Sequence, residues 1–396
     1  MPSPVPANPV PEPPARALLD AAQAPMLPAA RATLAAAWDQ GWADTSRLYA
    51  QARTARALLD RAREVLAEGL GVRPAELSFL PGGPAALHAG IEGLLWAGRR
   101  RGDRLVACAV DHSTVLTHGR HRAARGHGFA EVPVDHRGRA DVEAFTRALA
   151  VEGTVAATLQ AANGEVGTRQ PLDLVHAASR AQGVPLVVEA MACLGRDDVP
   201  TAHDVLVGDA RSFGGPPGVG LLVVPARTRW RRPGPPSGIE QSRTDVEPVV
   251  PLVLAAAEAW QQTAAVRADD ARLARELVAQ IRDRVGQIPD VEVVGDGVDR
   301  LPHVVTFSCL YVDGEALVTE LDRRGLAVAS GSACTSSSLE PSHVLAAMGV
   351  LTHGNVRVTL PLLAVCPDRA ASVERFLHEL PDVVATVRAR LGAHRL

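Results

Sequence analysis

From Ala15 to about Leu222 the chain alternates helical stretches with short apolar runs, and this alternation restricts its fold more than any other feature. The runs Leu77–Leu80, Arg104–Val110, Thr154–Gln160, Pro185–Glu189, Val205–Val207 and Gly220–Val224 predict strands. Between them, Ala29–Trp38 and Arg53–Glu68 predict helices. In the second, Ala55, Leu58, Leu59, Ala62, Val65 and Leu66 fall on one face, with Gly69 and Gly71 as stop signals. Strands and helices in alternation imply a mainly parallel sheet covered on both sides.

The pattern then changes. Pro225–Pro248 is rich in proline and arginine and predicts a loop, followed by a long helix over Leu252–Val285. From about Val291 the order strand, helix, strand, loop, helices predicts a second, smaller α+β lobe. The expected division is a proline-rich tail over 1–14, which can make neither helix nor central strand and is expected to be disordered. A large domain over 15–261 and a small one over 262–396 follow, with 15–20 packing as an arm on the small one. No internal repeat is present.

Composition narrows the function classes. With 47% hydrophobic residues the 396-residue chain can bury a large core, and a formal charge of −3 gives no general attraction to nucleic acid or membrane. Two basic clusters, Arg99–Arg104 and Arg229–Arg232, read as solvated loops. Five cysteines without a CxxC pair or zinc spacing predict a reducing, cytoplasmic setting. No apolar run approaches the roughly 20 residues of a membrane span, and the start shows no signal-peptide pattern.

One residue type is missing altogether. All 41 of the Lys+Arg residues are arginine. Codon bias toward arginine explains the loss of surface lysines. It does not replace a lysine that must form an imine, because a guanidinium cannot do so. An internal Schiff base, a P-loop lysine and a lysine general base are therefore excluded.

The densest chemical signal is Ala329–Leu345, ASGSACTSSSLEPSHVL, where Cys334 lies among small polar residues and an apolar pattern resumes after Pro341. Such a run packs poorly, which suits a thiol that must reach two partners in turn. An ordinary loop thiol is the plain alternative.

This stretch resembles the catalytic loop of the cysteine desulfurases, class V aminotransferases of pyridoxal-phosphate fold type I. The resemblance extends from about Leu18 to Leu391. It implies a large domain with a mixed, mostly parallel seven-stranded sheet, a smaller α+β domain, and a dimer with its site at the subunit interface. It also implies that Cys334 takes up sulfur as a persulfide and passes it to an acceptor protein. Leu19–Asp20 stands at the family's opening strand. Asp111–His112 resembles the pair whose imidazole stacks on the cofactor ring. Asn163 in AANGEVG matches a substrate-site asparagine, and Thr244 in QSRTDVEP a threonine that reaches a phosphate across the dimer. Arg357 in NVRVTL matches the arginine that holds the substrate carboxylate, for which a guanidinium fork is the natural partner.

Departures from the pattern gather around the cofactor. Aligned back from Gly215–Pro216, the Schiff-base lysine falls on Ser212, the preceding histidine on Arg211 and a phosphate-contacting serine on Asp209. The phosphate loop reads Gly82-Gly83-Pro84, losing a hydroxyl and a backbone N–H. Glu189 replaces the aspartate that pairs with the pyridine nitrogen, and Ala192 a ring-contacting glutamine. Each lost charge-assisted contact weakens phosphate binding by about 1.5–3 kcal/mol. Covalent pyridoxal phosphate is impossible, and non-covalent binding is expected to be poor. Three readings follow: a lapsed desulfurase that relays persulfide sulfur on Cys334, a dimerising partner of an active paralogue, and an enzyme using the cofactor non-covalently. The pathway, whether iron–sulfur cluster assembly or another sulfur transfer, stays open at this point.

Overall fold

The computed structural model describes residues 16–23, 25–41, 43–330, 341–390 and 392. The proline-rich tail and the segment 331–340, which carries Cys334, lie outside the described residues.

Seven strands form the main sheet, in the spatial order β2 (Leu77–Leu80), β8 (Gly220–Val223), β7 (Val205–Asp209), β6 (Leu186–Glu189), β5 (Thr154–Gln160), β3 (Arg104–Cys108) and β4 (Phe129–Val132). Only β8 runs against the rest; it is antiparallel to both β2 and β7. Every residue of β5 is buried, as a strand covered on both faces requires. Alternate residues feed different cores. Val106 and Cys108 point to one, Leu105 and Ala107 to the other. The helix α3 (Gly83–Gly98) packs on the second face, with α4 (Ser113–Ala124) beside it. On the first face lie α5 (Val142–Leu149), α6 (Leu172–Ala181) and α2 (Ala50–Gly69), with α1 (Pro28–Asp39) against the long helix described next.

That helix, α7, runs unbroken over Val250–Val285, 36 residues. Its first third, including Val253 and Trp260, belongs to the core under the main sheet. Its last third, including Ala274, Val278 and Ile281, belongs to a separate core. The second core backs a three-stranded antiparallel sheet of β9 (Val291–Val294), β10 (Val304–Cys309) and β12 (Asn355–Thr359). It also takes in α8 (Gly314–Arg323), a short parallel pair of β1 (Ala17–Leu18) with β11 (Leu326–Ala327), and α10 (Arg369–Arg390). The helix α9 (His343–Met348) follows the undescribed segment.

Several details differ from the sequence expectation. The arm's strand is Ala17–Leu18, two residues before Leu19–Asp20, because the pairing changes partner there. The Leu19 N–H donates to Ala327, while Asp20 bridges to Thr359. Leu58 is 41% exposed, so the buried stripe of α2 runs instead through Ala52, Ala55, Leu59, Ala62 and Leu66. Gly69 is there for packing: a Cβ would come within 1.7 Å of the Trp260 indole nitrogen. The strand β4 has a weak apolar signal, since its Glu131 faces out to Arg120.

Candidate functional site

In open α/β sheets, ligands gather outside the carboxyl ends of the parallel strands. The chain directs most of its candidate residues to that edge. Gly82 and Gly83 follow β2, Asp111 and His112 follow β3, and Asn163 follows β5. Glu189 ends β6 and Asp209 ends β7.

After Asp209 the chain makes a short 3₁₀ turn, Ala210–Phe213, and turns back at Gly214 (φ 75°) into β8. The turn folds Arg211 back over Asp209. Arg211 donates from its backbone N–H (3.0 Å) and Nε (2.9 Å) to Asp209 Oδ1, and from Nη2 (3.0 Å) to Oδ2. The fourth donor comes from another element: the Gly83 N–H reaches Oδ2 at 2.7 Å. Gly83 is the first residue of α3, entered through Gly82 at φ 97°, a conformation that favours glycine. A carboxylate has about four lone-pair sites in all. Asp209, buried at the start of a 16-residue helix, fills all of its own.

Ser212 donates its hydroxyl to the Met191 carbonyl. Met191 lies over Gly83, where a Cβ would meet its sulfur at 2.2 Å. Glu189 accepts the Met191 N–H. Burial pushes its carboxyl up to about 8, with the nearby Asp111 charge adding to the rise and the Met191 hydrogen bond opposing it. Near neutral pH it is mostly protonated. Burial likewise lifts Asp111 to about 6, against hydrogen bonds from Thr158, Cys108 and Gln160. Those bonds tie the end of β3 to β5. His112 caps α4, its Nδ1 accepting from Thr114 N–H at 3.1 Å. Burial first, then His343 and Arg211, hold its basicity down.

Asn163 spends its side chain on its own turn. Its Oδ1 accepts from the Glu165 and Val166 N–H groups, and its Nδ2 donates to Val110 at 3.2 Å. Thr244 is also engaged locally, its Oγ1 accepting from Val246.

Arg357 lies in β12, away from the Asp209 group. Its guanidinium is 3.6 Å from Asp20 Oδ1. Glu165 faces the same place, its carboxyl raised by burial against the opposing influence of Ser342, Arg357 and His343. Among the described residues, Arg357 Nε, Asp20 Oδ1 and Glu165 Oε1 are buried without a hydrogen-bond partner.

Cys334 itself lies outside the described residues, but the chain on both sides is anchored to site residues. Ala329 exchanges backbone hydrogen bonds with Arg357 at 3.1 and 2.7 Å. On the far side Ser342 caps α9, and His343 Nε2 lies 3.1 Å from the Asp111 carbonyl. Sequence reasoning missed Met191, Glu165, Asp20 and His343. Asp209 and Arg211 were read separately, although opposite charges two residues apart at the end of a strand are a signal of pairing.

The class-V aminotransferase model matches residues 18–364. The chain belongs to that family. Among its relatives in it are the cysteine desulfurase IscS of Dictyoglomus turgidum, 30% identical over 82% of this chain and 84% of the relative. A cysteine desulfurase of Cereibacter sphaeroides is 31% identical over 87% of this chain and 89% of its own length. Solved folds agree. A NifS-like protein superposes with a TM-score of 0.84 at 21% identity, over 94% of this chain and all of the other. DndA of Streptomyces lividans gives 0.69 at 25% identity, over 83% and 95%. Class-V aminotransferases are pyridoxal-phosphate proteins, and by these relatives the chain belongs with the cysteine desulfurases among them. In this member the turn after β7 presents Ser212 in a chain that has no lysine.

Proposed function

We propose that this class-V family member carries sulfur as a persulfide on Cys334 and runs no pyridoxal-phosphate chemistry of its own. The observation that carries the reading is Ser212. At the place of an imine-forming amine stands a hydroxyl bonded to the Met191 carbonyl. No other primary amine exists on any side chain to take over that role. Glu189 accepts the Met191 N–H, and burial raises its carboxyl above the ordinary range. The residues present do not fit the cofactor.

The remaining cysteines support Cys334 as the sulfur carrier. Cys108, Cys193 and Cys309 are buried. Burial pushes Cys309 up to about 12 and holds Cys108 and Cys193 as thiols. Cys366, partly exposed, is raised to about 11 by burial and by its Asp368 neighbour. A thiol held protonated is a poor nucleophile. The transfer itself needs no oxidant. The Cys334 thiolate attacks the outer sulfur of a donor persulfide, the donor S–S bond breaks and the donor leaves as a thiolate. An acceptor thiolate then attacks the outer sulfur on Cys334 and returns that thiol to its starting state. The anchored flanks, Ala329 on Arg357 and His343 on Asp111, hold both ends of the Cys334 segment beside the cleft.

The test is incubation with a low-molecular-weight persulfide, followed by intact mass. One added sulfur is expected on the native protein and none on Cys334→Ser. With pyridoxal phosphate and L-cysteine, sulfide is expected at the background of free cofactor. Turnover above that background sinks the reading; equal loading of both proteins moves the function to a scaffolding role.

A further inference from the structure

The cofactor-free reading leaves the start of α3 to be explained, and the inference drawn there rests on that reading. We propose that Asp209 is a built-in replacement for the phosphate of a bound ligand. Its carboxylate holds the anion place at the N-terminus of α3, so the cleft refuses phosphorylated ligands and keeps its shape with none bound.

Donor count is the first argument. A helix N-terminus attracts an anion through its free N–H groups and its dipole. Pro84, the second residue of α3, has no N–H to offer. A phosphate dianion carries three terminal oxygens and needs several donors. A carboxylate needs one from the helix, which Gly83 supplies at 2.7 Å, and takes the rest from Arg211. The donors present fit the smaller anion.

Space is the second argument. The ground above Gly83 is filled, with Met191 sulfur 2.2 Å and Asp209 Cβ 3.0 Å from where a Cβ would stand. Charge is the third. A phosphate reaching for Gly83 would meet the Asp209 oxygen already bonded there, and like charges at contact distance repel. Arg211 already spends Nε and Nη2 on Asp209, whose charge offsets its own toward an incoming anion.

The experiment titrates inorganic phosphate and pyridoxal phosphate into the purified full chain, followed by phosphorus NMR and calorimetry. Native protein is expected to show no saturable binding through about 10 mM phosphate, well above a millimolar dissociation constant. Asp209→Ser is expected to bind phosphate at least about tenfold more tightly than native, and to lose that gain when Arg211→Ala is added. Its melting temperature should fall without phosphate and recover with it. Saturable binding of either probe by the native protein, equal to that of Asp209→Ser, overturns the proposal. Should Asp209→Ser fail to fold, the isosteric Asp209→Asn replaces it, and the native titration still decides alone. Sulfur loading on Cys334 is read separately. Its failure sinks the carrier reading and leaves this one standing, whereas phosphate binding by native protein does the reverse.

Discussion

At the start of α3 Asp209 collects four hydrogen bonds from Gly83 and Arg211, whereas in β12 Arg357 sits 3.6 Å from Asp20, its Nε without a hydrogen-bond partner among the described residues. Both places pair a carboxylate with a guanidinium. They differ in how completely the polar atoms are used. A saturated buried pair is a structural joint, and removing one member leaves an uncompensated charge. An unsaturated one has less to lose. By this measure the Asp209 pair is finished within the chain, while at the Arg357 pair some polar atoms find no partner among the described residues.

Removing the Asp209 carboxylate tests that contrast with the largest effect expected of a single substitution at either pair. Asp209→Ala should cost about 3 kcal/mol in urea unfolding, the low end for a buried pair because the Arg211 side chain is 28% exposed and can turn toward water. A cost below about 1 kcal/mol would put the pair on the level of a surface bridge and erase the contrast.

A pH effect is expected at Glu189, at the end of β6. The folded state holds a proton on Glu189 up to about 8, against an ordinary 4.5. Folded protein therefore binds more protons than unfolded protein across that window. Stability should fall as pH rises through it, by at most about 1.4 kcal/mol per unit. Glu189→Gln should flatten this part of the urea-midpoint profile; an unchanged slope would show that Glu189 is charged in the fold.

Asp20→Ala should cost less than about 1 kcal/mol, since among the described residues Oδ1 makes no hydrogen bond and lies 3.6 Å from Arg357. A loss as large as that of Asp209→Ala would mean that both pairs are equally committed. The smallest effect is none at all. Ser212→Lys, incubated with pyridoxal phosphate, should give no imine absorbance and no added sulfide while Asp209 remains. A full imine signal would show that the missing lysine was the only obstacle.

Most of the sheet was legible from apolar runs alone, because strands covered on both faces cannot hide their composition. Edge strand β4 was not, since half of it meets solvent and Glu131 breaks the run. At the site, the identities of Ser212 and Asp209 could be read by position, but their partners could not. The Arg211 contact depends on a 3₁₀ turn that no periodicity announces, and the Gly83 contact joins residues 126 apart. The same holds for the buried Arg63–Glu240 pair, 177 residues apart, which fixes the loop ahead of Thr244 to α2. Asn163 was read as a substrate group from its motif, but the bonds of its amide to its own turn and to Val110 could not be read there.

The helix α7 has a mechanical consequence. At about 1.5 Å per residue, its 36 residues form a rod with one end embedded beneath the main sheet and the other behind the small one. A splint of that kind leaves no slack joint between the two masses. Torque applied to one is delivered to the other, and the pair should yield to heat as a single piece.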